Sequence, residues 1–138
     1  MTIVVDASVA VKWVLTEPHS DAADALLDEQ LAAPVLWLVE AGNALWRRAR
    51  LGQITAAEAG DLIGELLRAP VSPVAVQPHI ERALQLAVEL AHPIYDCLYL
   101  SVALQLHTHV VTADRRFAAA VSAAPFLYGD RVQLLGSS

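Results

Sequence analysis

The sequence predicts an α/β fold, an open and mostly parallel sheet covered by helices on both faces. Three observations carry this. Short apolar, β-branched runs alternate with stretches of helical composition. Connections that alternate in this way favour parallel strands buried on both faces. Acids stand where strands end, at the edge where such folds bind ligands. With 138 residues the chain is expected to form one domain, 1–138, large enough to bury a core without disulfides.

The elements follow in order. Thr2 to Val5 is a β-branched run that stops at Asp6, and Ala7 to Leu15, without Gly or Pro, reads as the helix after it. His19 to Leu31 reads as a second helix, opened by the turn around Pro18 and Ser20. Pro34 breaks the pattern before a long helix from about Leu36 to Leu51, closed by Gly52. Thr55 with Glu58 three residues on is a capping-box signature, so a helix from Ala56 to Arg68 follows, ended by Pro70 and Pro73. Val74 to Val76 reads as a short strand, and Pro78 opens a helix over Ile80 to Leu90. His92-Pro93 separates that helix from Ile94 to Leu106. A strand from His109 to Thr112, a short helix from Arg115 to Val121 and a last strand from Val132 to Leu135 complete the chain.

Composition narrows the function. The chain is 56% hydrophobic with a mean hydropathy of +0.45, high for its size, so some apolar surface is expected to meet another protein. No apolar run approaches the roughly 20 residues of a membrane span, and the early apolar run, interrupted by Asp6 and Lys12, lacks the marks of a signal peptide. A cytoplasmic protein without membrane association is expected. Cys97 is the single cysteine, which excludes an internal disulfide and agrees with a reducing compartment. The net charge of −6 argues mildly against nucleic-acid binding, although an acidic total can hide a local basic rim.

Four carboxylates draw attention. Asp6 and Asp114 each follow a strand, and each also suits a helix N-cap. Glu40 lies within the apolar stretch Val35 to Trp46, where a carboxylate is costly unless paired. On the helical wheel it shares a face with Asn43 and Arg47, apart from an apolar stripe of Trp37, Ala41 and Leu45. Asp96 stands among Ile94, Tyr95, Cys97, Leu98, Tyr99 and Leu100. A helix-dipole benefit of about 0.3–1 kcal/mol does not account for an acid so embedded. Ser8 and Thr112 carry hydroxyls close in sequence to Asp6 and Asp114, and are otherwise ordinary first-turn and strand residues. Carboxylates brought together raise one another's pKa unless a cation is present, and an all-oxygen donor set suits Mg²⁺ or Mn²⁺.

Taken in order, Val-Val-Asp-Ala-Ser (4–8), Glu-Ala-Gly-Asn-Ala-Leu (40–45), Tyr-Asp-Cys-Leu-Tyr-Leu (95–100) and Thr-Ala-Asp-Arg-Arg-Phe (112–117) resemble the motifs of PIN-domain nucleases. The likeness covers nearly the whole chain and is closest to VapC-type toxins of bacterial toxin–antitoxin pairs. It implies a PIN-like α/β/α sandwich and a metal-dependent endoribonuclease that leaves 5′-phosphate and 3′-hydroxyl ends. It also implies an RNA substrate, a homodimer, and inhibition by a cognate VapB-type antitoxin. By position, Asp6, Asp96 and Asp114 correspond to metal-binding acids and Glu40 to the fourth catalytic acid, with Ser8, Asn43 and Thr112 as supporting polar residues.

Arg47 and Arg48, with Arg50 nearby, and Arg115 with Arg116 are candidates for an RNA-binding rim, or simply solvated faces. The five histidines show no metal-ligand spacing and suit surface or turn positions. Cys97 reads as a small buried hydrophobe, and Trp13, Trp37 and Trp46 as core or interface residues. Apolar faces near Trp13 to Leu15 and Ala23 to Leu27 are candidate antitoxin or dimer surfaces. Two other α/β classes place an Asp after the first strand. A haloacid-dehalogenase-type phosphotransferase expects a second Asp where Ser8 stands, and a phospho-receiver expects a late-strand lysine, whereas Lys12 is the only lysine. A catalytically silent RNA- or protein-binding module on the same fold remains the alternative of a different class.

Overall fold

The computed structural model describes residues 1–124 and 128–137. Its centre is a sheet of five strands, β1 (Thr2–Val5), β2 (Gln30–Pro34), β3 (Val71–Val74), β4 (Val110–Thr112) and β5 (Val132–Leu134). They lie in the order β3-β2-β1-β4-β5, and every pairing is parallel. Parallel strands need crossovers, and these hold α1 (Ala7–Ala10), α2 (Ser20–Ala25), α3 (Trp37–Arg50), α4 (Ala56–Leu67), α5 (Ile80–Leu90), α6 (Ile94–Gln105) and α7 (Arg115–Ser122). Right-handed crossovers put α1–α4 on one face of the sheet and α5–α7 on the other. Strand order reverses between β1 and β4, which opens a crevice at their carboxyl ends.

The core explains the arrangement. Val4, Val5 and Val110 are fully buried at the middle of the sheet, and α6 buries every residue from Cys97 to Ala103. A helix apolar all round must be enclosed, and α6 is packed between α5 and the strands β1, β2 and β4. On α3, Trp37, Ala41 and Leu45 form the expected inward stripe.

Three boundaries differ from the sequence reading. The helix expected from Ala7 to Leu15 is α-helical only over Ala7–Ala10 and continues as a 3₁₀ turn over Val11–Trp13. The helix expected from His19 to Leu31 ends early, continuing only as a 3₁₀ turn over Leu26–Asp28, and Gln30–Pro34 forms β2. Ala and Leu are among the best helix formers, so the Ala- and Leu-rich run up to Leu31 reads as helix. Pairing on both sides, with Leu31 to Pro34 buried, overrides that propensity. The strand expected at Val74 to Val76 lies at Val71–Val74 and contains Pro73. β3 is an edge strand, where a missing N–H costs no ladder bond.

In the candidate partner surfaces Trp13 to Leu15 and Ala23 to Leu27, Trp13 packs on the buried Ala23, whereas Leu27 is exposed. The Trp13 indole N–H donates to the Ala23 carbonyl at 2.8 Å and its ring meets Trp37 edge-on at 6.4 Å. Trp46, by contrast, is exposed, with the Arg50 guanidinium 5.6 Å from its ring centre. No described helix is long and apolar enough to cross a membrane.

Local signals set the helix ends. Gly52 takes φ +74° after α3; its N–H donates to the Ala49 carbonyl and that of Gln53 to Arg48, a Schellman closure. At α4 the Thr55 hydroxyl accepts from the Glu58 amide and the Glu58 carboxylate accepts from the Thr55 amide, each at 3.0 Å. Thr55→Ala removes one half of this capping box and is expected to cost about 1 kcal/mol, measured as a lower urea midpoint with an unchanged m-value.

Candidate functional site

The carboxyl ends of β1 and β4 and the first turns of three helices meet in one cleft. Its lining includes Asp6, Ser8, Glu40, Asn43, Asp96 and Asp114, with Lys12, Glu17, Arg47 and Arg48 toward one end. Parallel strands bring Asp6 and Asp114 together, because the register Val5↔Val111 sets the end of β1 beside the end of β4. Helix α3 begins at the same edge after β2, which places Glu40 in its first turn. Only a short loop joins α6 to β4, so α6 runs opposite to that strand and its first turn, with Asp96, reaches the edge as well.

Each acid has one oxygen held by the protein. Asp6 is 4% exposed, and its Oδ2 accepts from the Thr112 hydroxyl at 2.6 Å and the Ser8 hydroxyl at 2.9 Å. Those hydroxyls are themselves fixed, Ser8 by the Ala113 amide and Thr112 by the Asp114 amide, each at 3.0 Å. Asp6 occupies the N-cap position of α1 without a side-chain capping bond, so the capping explanation fails for its carboxylate. Asp114 is a true cap: its Oδ1 accepts from the amides of Arg116 and Phe117. The cap reading of Asp114 holds, and the same residue lines the cleft.

Asp96 Oδ2 lies 2.6 Å from His92 Nε2, one turn earlier, and the His92 ring stacks on Phe117. Glu40 Oε1 accepts from the Tyr99 hydroxyl at 2.5 Å. The second oxygens, Asp6 Oδ1, Glu40 Oε2, Asp96 Oδ1 and Asp114 Oδ2, have no hydrogen-bond partner among the described residues.

Burial and mutual repulsion shape the electrostatics. Burial raises Asp6 to about 6, with Asp96 and Asp114 adding to the rise and the two hydroxyls opposing it. Burial likewise raises Glu40 to about 7, opposed by the Tyr99 hydrogen bond and reinforced by Asp6 and Asp96. Asp96 is raised mainly by burial, with His92 opposing and Asp114 adding. Among the described residues no three His, Cys, Asp or Glu side chains stand close enough to hold a metal ion as they are. The chemistry of the donors nonetheless fits a hard divalent cation: all are carboxylates, they repel one another, and each presents an unpartnered oxygen.

The expected basic rim divides. Arg47 and Arg48 line the cleft, but Arg48 pairs with Glu17, which also holds Lys12 at 3.3 Å. Arg115 faces a separate shallow pocket with Ala118, Ala119 and Gln133, and Arg116 is exposed outside the cleft lining. Sequence reasoning missed Tyr99, which reads as one more core aromatic, and His92, which reads as a turn residue. The spacing of Asp96 to Tyr99, three residues on one helix face, was the available signal for Tyr99, whereas His92 lies before the helix begins. Cys97 is buried and its thiol is pushed up to about 11, in keeping with a packing role.

A pH dependence follows from the raised acids. The folded chain keeps protons on Asp6 up to about 6, where the ordinary value is 3.8, and on Glu40 up to about 7, where it is 4.5. Between those limits the folded state binds more protons than the unfolded state, so stability falls as pH rises. In the presence of a chelator the unfolding free energy is expected to decline between about pH 4 and pH 7 and then level, with Asp6 contributing on the order of 3 kcal/mol. Asp6→Asn should flatten the acidic part of the decline in urea titrations; an unchanged slope would refute this electrostatic account.

Comparison with known proteins agrees with the geometry. A family model described as PIN domain matches residues 3–122. The chain is 36% identical over 96 residues to a protein named exonuclease VapC9 of Pyrobaculum aerophilum, covering 70% of this chain and 71% of that one. It is 28% identical over 123 residues to ribonuclease VapC3 of the same organism, covering 86% and 93%. The crystal structure of PAE2754, also from Pyrobaculum aerophilum, superposes with a TM-score of 0.70 at 32% identity over 87% of this chain and 79% of that one. VapC20 of Mycobacterium tuberculosis, a toxin that cleaves the sarcin-ricin loop, shares the fold with a TM-score of 0.66 at 20% identity, over 86% and 94% of the two chains. The chain belongs to the PIN domain family, in its VapC group.

Proposed function

We propose that the protein is a Mg²⁺- or Mn²⁺-dependent endoribonuclease toxin restrained by a cognate VapB-type antitoxin. The observation that carries this reading is the set of acids anchored by one oxygen and open at the other, along one cleft. The relatives named exonuclease and ribonuclease support nuclease chemistry. A similar fold in a VapBC2 complex of Rickettsia felis, with a TM-score of 0.61 at 12% identity over 98% of this chain and 99% of that one, supports only the fold.

On this reading Asp6, Asp96 and Asp114 would hold the cation. When bound, the cation supplies charge neutralisation at the scissile phosphate and lowers the pKa of a bound water. Glu40, held at Oε1 by Tyr99, stands at the cleft where it can accept or return a proton. Ser8 and Thr112 fix the Asp6 carboxylate, Asn43 offers an amide at the cleft wall, and Arg47 meets the RNA backbone as the rim cation with no ion pair among the described residues. Arg48, Arg115 and Arg116 stay secondary RNA contacts in this proposal. Homodimerisation and a cytoplasmic site of action belong to the same proposal.

Antitoxin-free protein incubated with linear and circular RNA tests it. Cleavage of both, requiring Mg²⁺ or Mn²⁺, abolished by a chelator and reduced about 100-fold or more by Asp96→Asn, is expected. Cleavage of linear RNA alone would make it an exonuclease. Metal-dependent RNA binding without cleavage would favour the silent binding module. In a separate binding measurement, Arg47→Ala should weaken RNA affinity and reduce the salt slope by about one; an unchanged slope would remove Arg47 from the interface.

A further inference from the structure

We infer that Tyr99 is a positioning residue that fixes Glu40 from beneath the cleft, so that α6 both supplies Asp96 and orients the acid of α3. The inference deepens the proposed function and rests on Glu40 acting in RNA cleavage.

Tyr99 is among the largest fully buried side chains of the molecule, at 0% exposure. A buried phenol needs a hydrogen-bond partner, and within a helix-packed core a backbone carbonyl is the usual choice. Here the hydroxyl donates instead to Glu40 Oε1 at 2.5 Å, across 59 residues of chain. This one bond joins the first turn of α3 to α6.

The chemistry is one-directional. Burial and the carboxylates of Asp6 and Glu40 push the phenol far above its ordinary value, so Tyr99 stays protonated and donates at every pH of interest. A short O–H donor to a carboxylate is the strong kind of hydrogen bond. It selects one rotamer of a side chain that otherwise has three free torsions, and it leaves Oε2 as the oxygen presented to the cleft. Asp96 and Tyr99 lie three residues apart on one helix, so the spacing between the acid α6 carries and the acid it clamps is set by helical geometry.

Tyr99→Phe deletes the hydroxyl while keeping the buried ring, and the full chain is tested in three ways. On a defined RNA in Mn²⁺, kcat is expected to fall about 10–100-fold, with KM and the calorimetric Kd for Mn²⁺ changed less than twofold. In a double-mutant cycle, Tyr99→Phe added to Glu40→Gln should cause no further loss. In metal-free protein, carboxyl ¹³C NMR should show the Glu40 midpoint moving upward in Tyr99→Phe, because the opposing hydrogen bond is gone. Multiplicative losses in the cycle, or a loss confined to KM or Mn²⁺ affinity, would overturn the role. An unmoved Glu40 midpoint would do so even if the wild-type protein cleaves no RNA, an outcome that by itself defeats only the proposed function.

Discussion

Keeping several carboxylates at the dry edge of a sheet is the constraint on which the site depends. Transfer of a charged carboxylate out of water is costly, and neighbouring carboxylates add repulsion. The fold meets this cost in part by assigning each acid its own donor: hydroxyls to Asp6, a phenol to Glu40, an imidazole to Asp96 and helix amides to Asp114. The compensation is incomplete, since Asp6 and Glu40 remain raised toward neutrality. The residual electrostatic cost is one that a cation entering the cleft would relieve.

The position of the cleft follows from the strand order. Chain connections leave the sheet in opposite directions from β1 and β4, so their loops diverge and helix first turns fill the gap. The crossing is stitched tightly: the Asp6 amide donates to the Val111 carbonyl at 3.0 Å, and the Ser8 hydroxyl accepts from the Ala113 amide. These bonds tie Asp6 to β4, and the first turn of α1 to the residue that follows β4. Thr112 is fully buried beneath Asp6 and bonds to it, so the Asp6 carboxylate is located by the sheet itself rather than by a mobile loop.

Much of this was legible in the sequence, for identifiable reasons. Asp6 and Asp114 stand out because they follow β-branched runs, and Asp96 because it interrupts an apolar helix. Helix boundaries marked by Thr55 with Glu58, and by Gly52, were readable because capping chemistry is local. Strand β2 was not, since its Ala-rich sequence favours helix and becomes a strand only through neighbours far away in the chain. Tyr99 and His92 escaped for a similar reason. Their roles come from partners chosen by packing, and a buried phenol looks the same in sequence whether it meets a carbonyl or a carboxylate. The basic rim was half legible, because pairing of Arg48 with Glu17, and the turn of Arg115 to another surface, depend on side-chain neighbours.

Charge in the cleft also bears on how a polyanion could enter it. Glu17 engages both Lys12 and Arg48, which leaves Arg47 facing a wall of four acids. An approaching phosphate therefore meets net negative potential, consistent with the acidic whole chain. On the proposed reading, cation binding and RNA binding are thermodynamically coupled: a cation that cancels the carboxylate field favours the phosphate, and by reciprocity the phosphate tightens the cation by the same factor. A basic surface is then unnecessary for this site. The sign of the cleft is set by its occupancy, and the net charge of the chain is a poor guide to whether it handles nucleic acid.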